Sequence, residues 1–223
     1  MIVKMSYTSG MLLLFVRHAL TSMTGKKLTG WLPGYSLSKE GKKQADQLSA
    51  RLSDFPLKAI YSSPLERCAE TAEAIAAPHR LEVTEVEGLG EIRYGDWQGK
   101  PLKSLYRMKA WQELRARPAD FRFPNGETIR EAQARAIAEV EQIRKRHRDT
   151  DAIAICSHAD LIRVMVAGYI GLSLDLYHRI SVGPASVSAL WMGERGPSLV
   201  LLGDTGDLGD IGKRLADSVK GKS

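Results

Sequence analysis

Two histidines of this chain stand in the same position relative to a predicted strand. His18 follows the apolar run LLLFVR and His158 follows AIAICS, so each lies directly beyond the carboxyl end of a buried strand. In an open α/β sheet, ligands bind outside the carboxyl ends of the strands. Two histidines in matching positions therefore indicate a shared site. The other three, His79, His147 and His178, lack this placement and are interpreted as surface or structural residues.

Two arginines accompany these histidines, and their chemistry points to an anion. Arg17 directly precedes His18, and Arg67 falls in the first turn of a predicted helix, where a cation is unusual because the helix dipole is already positive there. A guanidinium fork and a helix N-terminus both suit the oxygens of a phosphate group. We therefore predict a phosphate site formed by Arg17, His18, Arg67 and His158. Pairing of Arg67 with Glu66 or Glu70 on a solvated helix face is the structural alternative.

Acidic residues give two further hypotheses. A metal site of His18, His158 and Asp160 competes with the phosphate site, but two neighbouring arginines would repel a cation. The glycine-rich segment GLGEIRYGDWQG, which follows the third predicted strand, carries Glu91. A carboxylate on a loop near two imidazoles can donate a proton, and this segment offers two, Glu91 and Asp96.

Alternating strands and helices predict the sheet that would position these residues. The predicted strands are Met11–Val16, Lys58–Ser62, Leu81–Glu85, Ala152–Cys156, Val187–Met192 and Leu199–Leu202. The predicted helices are Ser38–Phe55, Pro64–Ala77, Leu102–Arg115, Thr128–His147 and Ala159–Ile170. We expect Ser63 and Glu66 to form a capping box and Pro78 to end the second helix. The pattern implies an α/β fold, a three-layer α/β/α sandwich with a mostly parallel central sheet.

Composition excludes several other classes of protein. The 223 residues are 43% hydrophobic and 26% charged, which is ordinary for a globular domain and excludes a disordered chain or a collagen-like repeat. The longest charge-free apolar stretch, Val164–Leu174, is shorter than the ~20 residues that span a bilayer. Cys68 and Cys156 are the only cysteines, so no disulfide framework exists. With no signal peptide recognised at the N-terminus, we expect a cytoplasmic protein.

Four segments together resemble the histidine phosphatase superfamily, also called phosphoglycerate mutase-like proteins. The opening FVRHALTSMTGKKLTGWLPGYSLSKEGKKQA, then SSPLERCAETA, the acid loop GLGEIRYGDWQG and CSHADLIR occur in the family's order. The resemblance implies the phosphoglycerate mutase-like fold. It also implies that His18 becomes phosphorylated and that Glu91 protonates the leaving group, while Arg17, Arg67 and His158 hold the phosphate. No metal or cofactor is implied, because the arginines take the place of a magnesium ion.

The opening segment departs from the mutase pattern Arg-His-Gly-Glu-Ser-x-x-Asn. Ala19 stands at the glycine, and Thr24 at the asparagine that would bind phosphate. Thr21 and Thr24 remain substrate-side candidates through their hydroxyl groups. The arginine pair and proline run typical of mutases are also missing between Glu91 and Gly126. These differences favour a phosphatase that hydrolyses a small phosphomonoester through a phosphohistidine.

Two alternative functions stay open beside the phosphatase. The first is a phosphoglycerate mutase that depends on 2,3-bisphosphoglycerate. Such an enzyme must also bind a carboxylate, for which the nearest cations are Lys26, Lys27, Arg93 and Arg107. The second is a weakly active phosphate-binding or interaction module, against which the intact His18, Arg67, Glu91 and His158 argue.

The expected partners are a small phosphorylated metabolite as substrate and inorganic phosphate as product. The net charge of +6 would admit nucleic acid, but the densest basic run, Arg144–Arg148, lies at a helix C-terminus, where cations are favoured for local reasons. We predict neither a nucleic-acid nor a membrane partner, and a homo-oligomer stays open.

The length of the chain suggests one domain. We assign residues 1–203 to a single histidine phosphatase domain. Residues 95–126 would be an insertion that covers the substrate, in which Trp111, Phe121 and Phe123 either form a lid or simply pack. Residues 204–223 are expected to form a mobile C-terminal tail.

Overall fold

A six-stranded sheet forms the centre of the protein. The computed structural model describes residues 10–206. The strands are β1 Gly10–Arg17, β2 Leu57–Ser62, β3 Val83–Glu85, β4 Ala152–Ser157, β5 Val187–Gly193 and β6 Gly196–Asp204. Their order across the sheet is β3-β2-β4-β1-β5-β6. The four strands from β3 to β1 are parallel, while β5 runs antiparallel to both of its neighbours. The predicted mostly parallel sheet is therefore confirmed.

Helices cover both faces of this sheet. They are α1 Lys39–Leu52, α2 Glu66–His79, α3 Leu102–Leu105, α4 Lys109–Ala116, α5 Ile129–Arg144 and α6 Ala159–Tyr169. Successive side chains of a strand point to opposite faces, and β1 is apolar on both. Leu12, Leu14 and Val16 pack in one core cluster with α1 and α2, whereas Met11, Leu13 and Phe15 join α5 and α6 in the other. This double burial makes the predicted three-layer α/β/α sandwich.

The start of α2 differs from the prediction. The helix begins at Glu66, its N-cap is Leu65, and no side chain caps it, so the predicted capping box is wrong. Ser63 Oγ instead lies 2.8 Å from His158 Nε2. The serine therefore contacts the residue that follows the neighbouring strand and accepts only the N–H of Leu65 from the start of its own helix.

Pro78 lies inside α2, so the prediction that it ends the helix is also wrong. A proline has no N–H to donate to the carbonyl four residues earlier. Here that carbonyl, of Ala74, accepts a hydrogen bond of 2.5 Å from Ser49 Oγ of α1. The contact between α1 and α2 thus replaces the missing helical bond.

The predicted helix Leu102–Arg115 is broken in two. Helices α3 and α4 are separated by three residues, none of which is a glycine or a proline. Leu105 and Leu114 are both buried, and the Trp111 ring stacks on Trp97 with 5.8 Å between centroids. No residue of low helix propensity such as glycine or proline accounts for the break. It coincides instead with the tertiary packing of these side chains.

The described region ends just past the predicted domain boundary. Strand β6 runs to Asp204, one residue past the predicted domain boundary, and the rest of the proposed tail, residues 207–223, lies outside the described residues. Within residues 10–206, no helix combines the length and the hydropathy that crossing a bilayer requires.

Candidate active site

The predicted site residues come together at the carboxyl end of the parallel strands. Arg17 is the last residue of β1 and lies opposite Ser157 of β4, so His18 and His158 leave the sheet at the same edge. Their ring centroids are 5.3 Å apart. A cavity of about 840 Å³ opens at this edge and is lined by Arg17, His18, Arg67 and Glu91. His158 does not line it, because its side chain is fully buried behind His18 and Arg67.

His18 presents a neutral ring to the cavity. Its Nδ1 lies 2.7 Å from the backbone carbonyl of Ala19. A carbonyl can only accept, so Nδ1 carries the proton and the lone pair of the neutral ring is on Nε2. Burial, and secondarily the positive charge of Arg67, hold the pKa of His18 well below its usual range. The ring is therefore uncharged at neutral pH, with its proton on Nδ1, and Nε2 can act as a nucleophile.

Alanine fits where the mutase pattern has glycine. Ala19 does not adopt the left-handed backbone region that favours glycine. Its N–H donates a hydrogen bond of 3.1 Å to Thr71 Oγ1 of α2, and its side chain is fully buried. The residue after His18 is thus held by the same helix that carries Arg67.

A backbone carbonyl anchors each of the two arginines. Arg17 Nη1 donates to the carbonyl of Val182 at 2.7 Å, and Arg67 Nη2 donates to the carbonyl of Gly30 at 2.9 Å. The same Nη2 lies 3.1 Å from His158 Nδ1. Arg67 is only 2% exposed, so these contacts fix its guanidinium without neutralising its charge.

Both guanidinium groups keep donors without a partner. In the described part of the chain, Arg17 Nε and Arg67 Nη1 are buried and make no hydrogen bond, and neither arginine forms an ion pair. Pairing of Arg67 with Glu66 or Glu70 is wrong, because these carboxylates accept the N–H groups of residues 34 and 37. Unpaired buried donors are costly, so the arrangement suits an anion that enters the cavity.

Glu91 is poised between its two protonation states. Its Oε1 accepts the N–H of Ile92 at 2.9 Å, and its Oε2 lies 4.0 Å from His158 Nδ1. Burial, assisted by the negative charge of Asp160, raises the pKa of Glu91 to about 7. Near neutral pH this carboxyl group can therefore give up a proton or take one.

Trp31 and Arg135 hold the loop that carries Glu91. Trp31 Nε1 donates to the carbonyl of Glu91 at 2.5 Å. Arg135 of α5 donates to the carbonyls of Gly88 at 2.7 Å and Gly90 at 3.2 Å. Sequence reasoning assigned neither residue a role, although Trp31 lies in the quoted opening segment.

Asp160 is engaged by protein groups rather than arranged as a metal ligand. Its Oδ2 accepts the Tyr94 hydroxyl at 3.0 Å, and its Oδ1 accepts Arg163 Nη1 at 2.8 Å. Nowhere in residues 10–206 do three His, Cys, Asp or Glu side chains group in a way that could hold a metal ion. The geometry thus gives no support to a site of His18, His158 and Asp160.

The residues considered for contact with the substrate are two threonines and four cations. Thr21 and Thr24 both line the cavity, with 3.1 Å between their hydroxyl oxygens, so each partly satisfies the other. Of the four cations considered for a carboxylate, Lys27 lines the cavity and the other three do not. Arg93, for example, pairs with Glu87 at 2.7 Å outside the cavity. The lining cations Arg115 and Arg163 were not predicted from the sequence.

Ser63 is a site residue whose position, but not its role, was predicted. Since His158 Nδ1 faces the guanidinium of Arg67, Nε2 carries the ring proton and donates it to Ser63 Oγ. Ser63 directly follows β2, and Ser62 pairs with Cys156 of β4. The strand-end rule that identified the two histidines would also have identified this serine.

Known proteins resemble this chain in sequence. Residues 13–205 match the sequence model of the histidine phosphatase superfamily, branch 1. The chain is 32% identical over 204 residues to phosphoserine phosphatase 1 of Hydrogenobacter thermophilus, which covers 89% of this chain and 95% of the relative.

Two solved structures share the fold. Bacillus stearothermophilus YhfR superposes with a TM-score of 0.82 at 26% identity, covering 89% of this chain and 99% of that one. A phosphoserine phosphatase mutant from Entamoeba histolytica, in complex with phosphoserine, gives 0.80 at 23% identity with the same coverage. The family match extends over nearly the whole described region and contains every residue of the site, and the chain therefore belongs to the histidine phosphatase superfamily.

Proposed function

We propose that this protein is a phosphatase that hydrolyses a small phosphomonoester through a phosphohistidine formed on His18. The observation that carries the proposal is the pair of buried guanidinium groups with unpartnered donors beside a neutral imidazole. Arginine forks bind the non-bridging oxygens of a phosphate, and the imidazole lone pair attacks the phosphorus. The 32% identical phosphoserine phosphatase over 95% of its own length supports hydrolysis rather than mutase activity.

The reaction has two steps. In the first, His18 Nε2 forms a bond to phosphorus while the bond from phosphorus to the ester oxygen breaks, and Glu91 gives its proton to that oxygen. Arg17 and Arg67 stabilise the negative charge on the transferring group. In the second, Glu91 takes a proton from water, the water oxygen bonds to phosphorus, and inorganic phosphate leaves His18. A carboxyl group with a pKa near 7 suits both steps.

His158 acts on the phosphate less directly than the other site residues. Its ring lies between Arg67 and Ser63, so in this geometry it orients the guanidinium. The family resemblance implies that this ring also contacts the phosphoryl group. The arginines neutralise charge in the place of a metal ion, so we propose a reaction independent of metals and cofactors.

The proposal also includes a first substrate to test, a segment that covers the substrate and a cellular compartment. The name of the relative makes O-phosphoserine the first small phosphorylated metabolite to test. Residues 95–126 cover the substrate, since eight residues of this segment line the cavity. The protein acts in the cytoplasm as a single catalytic domain.

Trapping the phosphoenzyme tests the proposal. Protein mixed with a ³²P-labelled phosphomonoester and quenched in alkali should retain acid-labile label on one histidine. His18→Ala should lose both label and turnover, whereas the control His79→Gln, at the far end of α2, should keep both. Turnover by His18→Ala, or label that persists in it, would overturn the proposal.

A further inference from the structure

The cavity is larger than its phosphate-binding end requires. Its volume of about 840 Å³ lies near the upper end of the roughly 300–1,000 Å³ typical of sites for drug-sized ligands. The phosphate-binding residues Arg17, His18 and Arg67 come from β1, its following loop and the first turn of α2. Another part of the lining, which we call the wall, is contributed by residues 95–126, which contain α3 and α4. None of these residues is among the phosphate-binding ones, so the wall is available to the leaving group of a bound phosphomonoester.

The wall is predominantly apolar. Two of its eight lining residues, Gln112 and Arg115, are polar. The other six are Leu102, Tyr106, Trp111, Leu114, Pro118 and Phe123. A wall of this kind contributes to binding mainly by removing apolar ligand surface from water.

Tyr106 gives this wall an open aromatic surface. It is 52% exposed, more than any other large hydrophobic residue in the part of the chain that the structure describes. It lies in the break between α3 and α4, and its ring centroid is 4.9 Å from that of Trp111. Trp111 is in turn stacked on the buried ring of Trp97. The exposed ring is therefore backed by fixed packing, which lowers the entropic cost of binding against it.

We propose that the alcohol released by this enzyme carries an apolar body of several carbon atoms, which packs against Tyr106 and Trp111. This inference rests on the proposed function, because it is the phosphate site that directs the leaving group toward the wall. It assigns Tyr106 and Trp111 as specificity-determining residues. It also separates this chain from an enzyme dedicated to phosphoserine, whose leaving group is small and charged.

A series of primary n-alkyl phosphates tests the inference. From ethyl to hexyl phosphate the leaving alcohol keeps nearly the same pKa, so changes in kcat/KM report contact with the wall rather than chemistry. Each added methylene that is fully buried is expected to raise kcat/KM about threefold to fourfold, or about 100-fold across the series. O-phosphoserine should be hydrolysed with a kcat/KM below that of hexyl phosphate.

Substitutions of Tyr106 test whether this residue causes the dependence of kcat/KM on chain length. Tyr106→Ala should lower the ratio of kcat/KM for hexyl over ethyl phosphate about tenfold, while Tyr106→Phe should keep the ratio because the ring remains. The control Ile170→Ala removes another exposed large hydrophobic residue, 39% exposed, which does not line the cavity. It should leave kcat/KM for both substrates unchanged.

Three outcomes have distinct meanings. If ethyl phosphate is hydrolysed but kcat/KM does not rise with chain length, the apolar inference is wrong and the proposed function stands. If 5-carboxypentyl phosphate is preferred to hexyl phosphate, Lys27 and Arg115 select a second anion and the inference is likewise wrong. If no phosphomonoester is hydrolysed at all, the proposed function itself fails.

Discussion

Glu91→Gln is the substitution that most directly tests the proposed chemistry. Glutamine keeps the size of the side chain and can still accept the N–H of Ile92. Its amide has no acidic proton that it could transfer to the leaving group. An alkoxide leaving group needs that proton, whereas a nitrophenolate is stable without it. The defect of the variant should therefore depend on the leaving group.

The raised pKa keeps Glu91 protonated often enough to act as an acid, and general acid catalysis then sets the expected loss of kcat. With a pKa of about 7, roughly half of Glu91 holds its proton at pH 7, compared with about one molecule in 300 at the ordinary value of 4.5. General acid catalysis typically contributes about 10²–10⁴-fold. Glu91→Gln should lose kcat on alkyl phosphates by a factor in this range, and by a much smaller factor on the first step with 4-nitrophenyl phosphate.

The pH profile gives an independent measurement. Because the pKa of Glu91 is raised, its acid form persists until the pH passes about 7 and is lost above it. For the unaltered enzyme with an alkyl phosphate, kcat/KM should fall about tenfold per pH unit above that point. The second ionisation of the substrate, with a pKa near 6, accounts for a separate limb on the acid side. Glu91→Gln should lose the alkaline limb.

Stopped-flow measurement with 4-nitrophenyl phosphate separates the two steps. Since Glu91 also activates water, the variant should release one equivalent of nitrophenol in a burst and then accumulate phosphohistidine. Glu87→Gln is the matched control, because Glu87 is exposed and pairs with Arg93 away from the cavity. Equal losses on alkyl and aryl substrates, without a burst and with the alkaline limb intact, would refute the assignment. Asp96 in the same loop would then be tested.

Three further outcomes are expected. Arg67→Met should raise the inhibition constant of inorganic phosphate roughly 10- to 100-fold through loss of charge-assisted hydrogen bonds, and an unchanged constant in a competition assay would contradict this role. Gly41→Ala should lower the free energy of unfolding by about 1–3 kcal/mol in urea titrations, since its Cβ would clash with the carbonyl oxygen of Leu20, whereas Lys43→Ala on the exposed face of α1 should not. Dialysis against EDTA should leave turnover unchanged, and loss of turnover that a divalent ion restores would show that metal independence is wrong.

The sequence determined where the site would form. The apolar runs before His18 and His158 are uniformly buried strands, and parallel strands leave the sheet with their carboxyl ends at one edge. This is why residues 140 positions apart in the chain could be placed together from local patterns alone. Helix α5 was also predicted, as Thr128–His147; in the structure it runs from Ile129 to Arg144 and begins at a reciprocal capping box of Thr128 and Glu131.

Other features depended on contacts that no local pattern contains. Ser63 was interpreted as a helix cap because the sequence around it suits one, yet its hydroxyl meets His158 from another strand. Pro78 was expected to end α2, but Ser49 of a different helix satisfies the carbonyl that proline leaves free. In both cases a tertiary hydrogen bond replaced the local one on which the prediction relied.

The shape and character of the cavity were likewise decided by the tertiary structure. Sequence reasoning left open whether Trp111 and Phe123 form a lid or pack, and the structure shows that both line the cavity and also pack against Trp97. The raised pKa of Glu91 arises from burial and from Asp160, which is 69 positions away in the chain. The sequence by itself determined which residue types could bind and transfer phosphate. Burial, packing between distant segments and the charges they bring together decided how those residues are oriented.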